Sequence, residues 1–185
     1  AAIEEARGYM QDPRAFADRF WKQPAPLPVT EWTKRIEKLK SGGKTVYYMR
    51  ADFGSTDAVW MRFLCRFIGR FGAGDEAAFC LETPPMAECP NDYAVLACLI
   101  EQMGRRAPAL LTHETRAAFS ERVFSYVDVF LTTKDAVSLE GVRLAEADGV
   151  RVRYALDAPP FLWPMKEEHL PLPRDVWNAT MEKCI

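Results

Sequence analysis

An α/β fold follows from three observations. Short apolar runs alternate with amphipathic stretches through most of the chain. Residues 125–157 read as one whole strand–helix–strand unit, and two strands joined by a helix imply a parallel pair with a right-handed crossover. Hydrophobic residues make up 49% and charged residues 27% of the 185 residues, enough apolar side chain for one sizeable core. The expectation is a three-layer sandwich of about five parallel strands between two helical layers, preceded by extra helices.

The elements follow in order. Residues 3–22 read as helix in two parts, broken at Asp12-Pro13, with Phe16, Phe20 and Trp21 forming an apolar stripe. A Pro-rich stretch at 23–29 must be extended. Thr30 is a good N-cap for a second helix, EWTKRIEKLK, which Ser41-Gly42-Gly43 ends. Residues 1–43 are therefore assigned to a helical extension or linker, and 44–185 to the sheet domain.

The first strand is TVYYMRA at 45–51, followed by a loop that holds Asp52, Ser55, Thr56 and Asp57. A long helix at 58–71 turns Trp60, Phe63, Leu64, Phe67 and Ile68 inward. Gly72-Ala73-Gly74 closes it. This GxG precedes a strand, so it is not a dinucleotide fingerprint, which must follow a strand and open a helix. The second strand is 77–82, and Asn91 is expected to cap a helix to Met103. The third strand spans 107–113 and a short helix 115–122. The fourth strand spans 125–131, a helix begins at Asp135, and the fifth strand spans 150–156. Residues 158–173 contain Pro159, Pro160, Pro164 and Pro171, and Phe161, Leu162 and Trp163 should lie over the body. A last helix opens at Pro173. The alternation implies a parallel sheet covered on both faces, with the strand order 3-2-1-4-5. A crevice should open at the carboxyl ends of strands one and four, between the loops 50–57 and 132–138.

Charge and composition narrow the function. A net charge of −2 argues against a nucleic-acid partner bound through its phosphates. Five cysteines without a CxxC pair, and two histidines far apart, argue against a zinc site and for a reducing, cytoplasmic setting. No apolar run is long enough to span a bilayer, and residues 1–10 do not read as a signal peptide. The chain starts without Met, and its first strand arrives only at Thr45, so it is expected to be a piece of something longer.

Arg50 and Lys134 stand at the ends of the two switch-point strands, where both can reach one diphosphate. The helix near Asp135 points its free N–H groups into the same crevice, and Ser55, Thr56, Thr132 and Thr133 add hydroxyls. Arg50 has a plainer alternative as an ion-pair partner of Asp52 or Asp128. Asp135 has one as a helix cap, and Lys134 one as a solvated surface lysine.

The order of elements over residues 44–183 resembles the C-terminal, donor-binding half of GT-B glycosyltransferases of the retaining, glycogen-synthase-like kind. The resemblance is carried by TVYYMRADFGSTDAVWMRFLCRF with Arg50 at its strand end, by SERVFSYVDVFLTT, by KDAVSLEGVRLAEADGVRVRYA and by HLPLPRDVWNATMEKC. It implies a Rossmann-like domain that binds a nucleotide sugar and transfers the sugar once an N-terminal acceptor-binding domain or a partner chain completes it. No cofactor or metal is implied, and peripheral membrane contact could come through a missing domain. Donor and diphosphate contacts fall on Arg50, Ser55, Thr56, Thr133, Lys134 and Asp135. Ribose and base contacts fall on His113, Glu114, Glu140 and Glu146. No catalytic residue is assigned. The Lys-Gly pair that follows the arginine in the family is replaced near Ser55 and Thr56, and KDAVSLEG stands where the family has a Gly-Phe-Gly loop. An alternative is therefore a binding or scaffold module that kept the fold and lost the donor site.

Overall fold

In the computed structural model, residues 30–117, 119, 122–154, 163 and 166 are described. The helices expected at 3–22 and after Pro173 lie outside these residues, as do Phe161 and Leu162.

Helix α1 (Glu31–Ser41) starts where the sequence places it. Thr30 Oγ1 accepts the Thr33 N–H at 3.2 Å, and Thr33 Oγ1 accepts the Thr30 N–H at 3.0 Å, a reciprocal capping box. Then follow β1 (Thr45–Arg50), α2 (Val59–Arg70), β2 (Ala77–Thr83), α3 (Pro90–Met103), β3 (Ala109–Glu114), β4 (Val129–Thr132), α4 (Ala136–Ala147) and β5 (Arg151–Tyr154). The five strands form one all-parallel sheet in the order β3-β2-β1-β4-β5. The expected Rossmann-like α/β architecture and strand order are both present.

Two cores separate the layers. On one face, α2 and α3 pack Trp60, Phe63, Leu64, Phe67, Leu96 and Leu99 against Met49, Phe79 and Leu81. Trp163 joins this core at 5% exposure, its ring 5.1 Å from Tyr47 and 5.3 Å from Phe67, as expected for a residue lying over the body. On the other face, α1 and α4 pack Trp32, Ile36 and Ala145 against Val46, Tyr48, Cys80 and Phe130. The successive crossovers over β1-β2-β3 use the first face, and the crossover from β4 to β5 uses the second. Each fully buried large side chain contributes about 1.5–3 kcal/mol.

Several boundaries differ from the sequence expectation. The fourth strand is not 125–131. Val123–Tyr126 is a 3-10 turn entered through Arg122 at φ 50°, and the strand begins only at Val129. Asp128 marks the entry: its carboxylate accepts the Val46 N–H at 2.8 Å and pairs with Lys40 at 3.1 Å. Val123 and Phe124 are apolar because they pack onto Tyr48 and Phe130 in the second core, not because they pair in the sheet. Where a short helix is expected at 115–122, none of the described residues is helical: Arg116, Ala117 and Phe119 lie in bends and Arg122 in a turn. Helix α3 begins at Pro90 after Cys89, not at an Asn91 cap, since proline is pre-set for a first helical turn. β3 begins after Pro108, which has no N–H to give a ladder.

Candidate functional site

The loops after β1 and β4 lie side by side at the point where the strand order reverses, because β1 and β4 are parallel neighbours with Tyr48 opposite Phe130. The β1 loop is organised by Asp52. Its Oδ2 accepts the Val59 N–H at 3.0 Å and its Oδ1 the Trp60 N–H at 2.8 Å, so this carboxylate occupies the amino end of α2. Burial raises the Asp52 carboxyl above its usual range, against the lowering by the backbone N–H groups of Trp60, Val59 and Asp52 itself, and Asp135 raises it further. The loop is also tied to α3: Gly54 N–H donates to Asp92 at 3.1 Å, and the Phe53 ring meets Tyr93 edge-on at 5.3 Å.

The β4 loop is organised by Asp135. It caps α4 by accepting the Ser138 N–H at 2.9 Å and the Thr133 hydroxyl, while Ser138 Oγ accepts the Thr133 N–H at 2.7 Å. Lys134 reaches across to Asp57 at 3.4 Å, joining the two loops. Both partners are well exposed, so this pair contributes little stability.

Beneath the loops, the sheet changes character along its carboxyl edge. On the α1/α4 face, Leu111, Cys80, Tyr48, Phe130 and Val152 form a level row of core side chains. Two residues further along each strand, the same face carries His113, Glu82, Arg50, Thr132 and Tyr154. Glu82 and Thr132 are fully buried, and the Tyr48 phenol donates to Glu82. Burial, followed by the Glu82 charge and hydrogen bond, pushes the Tyr48 phenol well above its usual range. Trp32 of α1 stacks on His113 at 4.8 Å and 16°.

Arg50 has neither of the partners that its plainer alternative supplied. Asp52 is engaged by α2, and Asp128 by Val46 and Lys40. Arg50 is half-buried, its Nη1 is sealed from solvent without a hydrogen bond, and it forms no ion pair among the described residues.

Of the other sequence-derived site residues, Thr133, Lys134 and Asp135 share the β4 loop, while Ser55 and Thr56 are exposed on the β1 loop. Glu114 extends β3 and lies 3.5 Å from the Tyr93 hydroxyl. Glu140 and Glu146 are exposed on α4, where Glu140 pairs with Arg143 at 3.1 Å. Sequence reasoning missed Asp52 as a helix cap, and Glu82, Tyr48 and Trp32 as members of the carboxyl edge. A glutamate inside the otherwise apolar AAFCLET was the available signal. Among the described residues no group of three or more His, Cys, Asp or Glu side chains is placed to hold a metal ion. No helix among them is long and apolar enough to cross a membrane.

The sheet order and the switch-point loops define a Rossmann-like α/β protein. Compared with protein-family models, with curated proteins and with solved structures, the chain matches none.

Proposed function

We propose that the chain is a glycosyltransferase-like, nucleotide-sugar-binding domain of the GT-B donor-half type, with Arg50 as its anion anchor. The observation that carries this reading is the sealed Nη1 of Arg50, a donor without an acceptor on a half-buried cation that forms no ion pair among the described residues. Leaving such a donor unsatisfied costs about 1–3 kcal/mol, and more on a charged group. A phosphate oxygen relieves that cost, and the planar guanidinium suits a diphosphate. Lys134, on the facing loop, adds a second cation if its contact with Asp57 opens.

In this reading an acceptor-binding domain or partner chain completes an enzyme that transfers sugar from the nucleoside diphosphate. The proposal includes no bound cofactor, no nucleic-acid partner and a cytoplasmic setting, and any peripheral membrane contact belongs to a further domain. The isolated chain is expected not to turn over, so robust transfer from a nucleotide sugar would refute that part. Titration calorimetry with UDP and GDP tests the binding. The expected outcome is binding that weakens at least about tenfold in Arg50→Ala. Equal affinity in the variant would end the Arg50 assignment.

A second reading, a non-catalytic scaffold that has lost the donor site, is favoured by a separate observation. Asp52 and Asp135 each occupy a helix amino end at the switch point. Those are the positions where a phosphate gains most from backbone N–H groups. Absence of binding by both nucleotides supports this second reading.

A further inference from the structure

We propose that the outer edge of β5 is a docking strand for an extended, acidic segment of a partner protein, which adds to the sheet as a sixth strand. The inference is independent of the nucleotide-binding reading, because this edge faces away from the β1–β4 junction. Among the described residues β5 pairs with β4 alone and ends the sheet on that side. The Arg151 N–H donates to the Asp128 carbonyl, so Arg151 and Arg153 direct their backbone groups to β4. Backbone direction alternates along a strand. Val152 therefore presents its N–H and C=O outward, and Tyr154 its N–H. Such an edge is a template for another strand.

The two faces of this edge differ. Arg151 and Arg153 share one face, are exposed, and form no ion pair among the described residues. Val152 and Tyr154 share the α4 face, and Tyr154 is 54% exposed. Leu139 of α4, 53% exposed, borders the same edge. Ser138 and Ala145 mark the buried line of α4, and in a right-handed crossover the residue one step past Ser138 turns to the β5 side. The edge thus has two cations on one face and an apolar border on the other. An extended peptide with acidic side chains at alternate positions, and apolar ones between them, matches both faces at once.

A second copy of this chain fits worse. Antiparallel pairing about a two-fold axis keeps each face with itself, so it sets Arg151 against Arg153 of the copy, or Arg153 against its own counterpart. Like charges directly opposite one another are destabilising. Charged edges also block self-pairing in general, but that protection gives no reason for the exposed Leu139 and Tyr154 beside them.

The probe is a short peptide alternating Glu and Val, titrated into the whole chain. Calorimetry is expected to show binding, and the amide resonances of Val152 and Tyr154 are expected to shift and gain protection from exchange. Val152→Pro removes an outward N–H that the ladder to β4 does not use, and proline is tolerated on such an edge. This variant is expected to bind at least about tenfold more weakly. Arg151→Glu combined with Arg153→Glu is expected to reverse the preference, toward a peptide alternating Lys and Val. Absence of Glu–Val peptide binding at about 1 mM, or binding that leaves the Val152 and Tyr154 amides unmoved, overturns the proposal. Equal binding of the Lys–Val peptide by the wild type overturns the acidic preference. A wild-type dimer in sedimentation that Val152→Pro dissolves would make a second copy the occupant, and so overturns it as well. The wild-type resonances decide the matter even if the variants fold poorly.

Discussion

The Asp52 carboxylate accepts the Trp60 N–H at 2.8 Å across the loop that joins β1 to α2, and its second oxygen takes the Val59 N–H at 3.0 Å. One side chain thereby ends a strand, starts a helix and places negative charge at the switch point. Ala58, between them, has φ 42° and offers no side-chain cap, so Asp52 supplies the capping from outside the helix.

Asp52→Ala is expected to destabilise the protein by about 1–2 kcal/mol, the cost of a lost helix cap. Asp52→Asn keeps one acceptor oxygen and is expected to lose less. The pH dependence has a definite sign. Burial raises the folded carboxyl above its usual value, so between the ordinary aspartate pKa of about 3.9 and the raised one the folded state binds more protons than the unfolded. Stability from this group therefore falls as pH rises through that window. Urea titrations across it should show wild-type stability falling relative to Asp52→Asn. A difference that grows with pH would overturn the assignment.

Tyr48 and Glu82 are both fully buried, and the phenol donates to the carboxylate. Tyr48→Phe removes that donor from a carboxylate shut away from water, at an expected cost of about 1–3 kcal/mol. Glu82→Gln keeps an acceptor for the phenol and should cost less. Above about pH 10 an unfolded chain releases the phenol proton while the folded one retains it, so the Tyr48 contribution falls as pH rises. Urea midpoints at neutral and alkaline pH should accordingly converge between Tyr48→Phe and wild type as pH rises. A gap that stays constant would remove Tyr48 as the titrating group.

The parts of this molecule that the sequence made legible are those written in short-range chemistry. The Thr30 cap, the Asp135 cap and the apolar strands at Val46 and Phe79 each announce themselves within a few residues. Alternation of strands and helices then leaves one natural sheet order, and that order is present. The segment before β4 was not legible, since Val123 and Phe124 have the composition of a strand but are buried by a 3-10 turn. The carboxyl edge was only half legible. Arg50 and His113 were visible as strand ends, but their common row depends on register across three strands. The stack of Trp32 on His113 joins residues far apart in the chain, and no local pattern encodes it.

Gly141 sits where α4 crosses β4. A Cβ added there would come within 2.8 Å of Phe130 Cζ and closer still to Phe119 Cζ. Phe130 is fully buried and cannot yield. Alanine is worth about 1 kcal/mol over glycine inside a helix, whereas overpacking a core costs about 1–3 kcal/mol. Gly141→Ala should therefore lower the melting temperature despite its better helix propensity. A rise would mean that α4 can move off β4 far enough to admit the methyl group.

The cysteines offer a test of the layer arrangement that needs no mutation. Cys80 lies on β2, fully buried, and burial pushes its thiol up to about 12. Cys98 is exposed on α3, where its sulfur accepts a hydrogen bond from Gln102 at 3.4 Å. Cys89 is half-buried, and desolvation, Asp92 and Glu88 all raise its thiol. Only the thiolate attacks an alkylating reagent, so rate follows both exposure and pKa. Among these three, iodoacetamide at mildly alkaline pH is expected to label Cys98 before Cys89, and Cys80 only once denaturant opens the sheet. Peptide mass mapping over time reads the order directly. Labelling of Cys80 in the native protein at the rate of Cys98 would show that β2 is not the covered inner strand on which both cores are built.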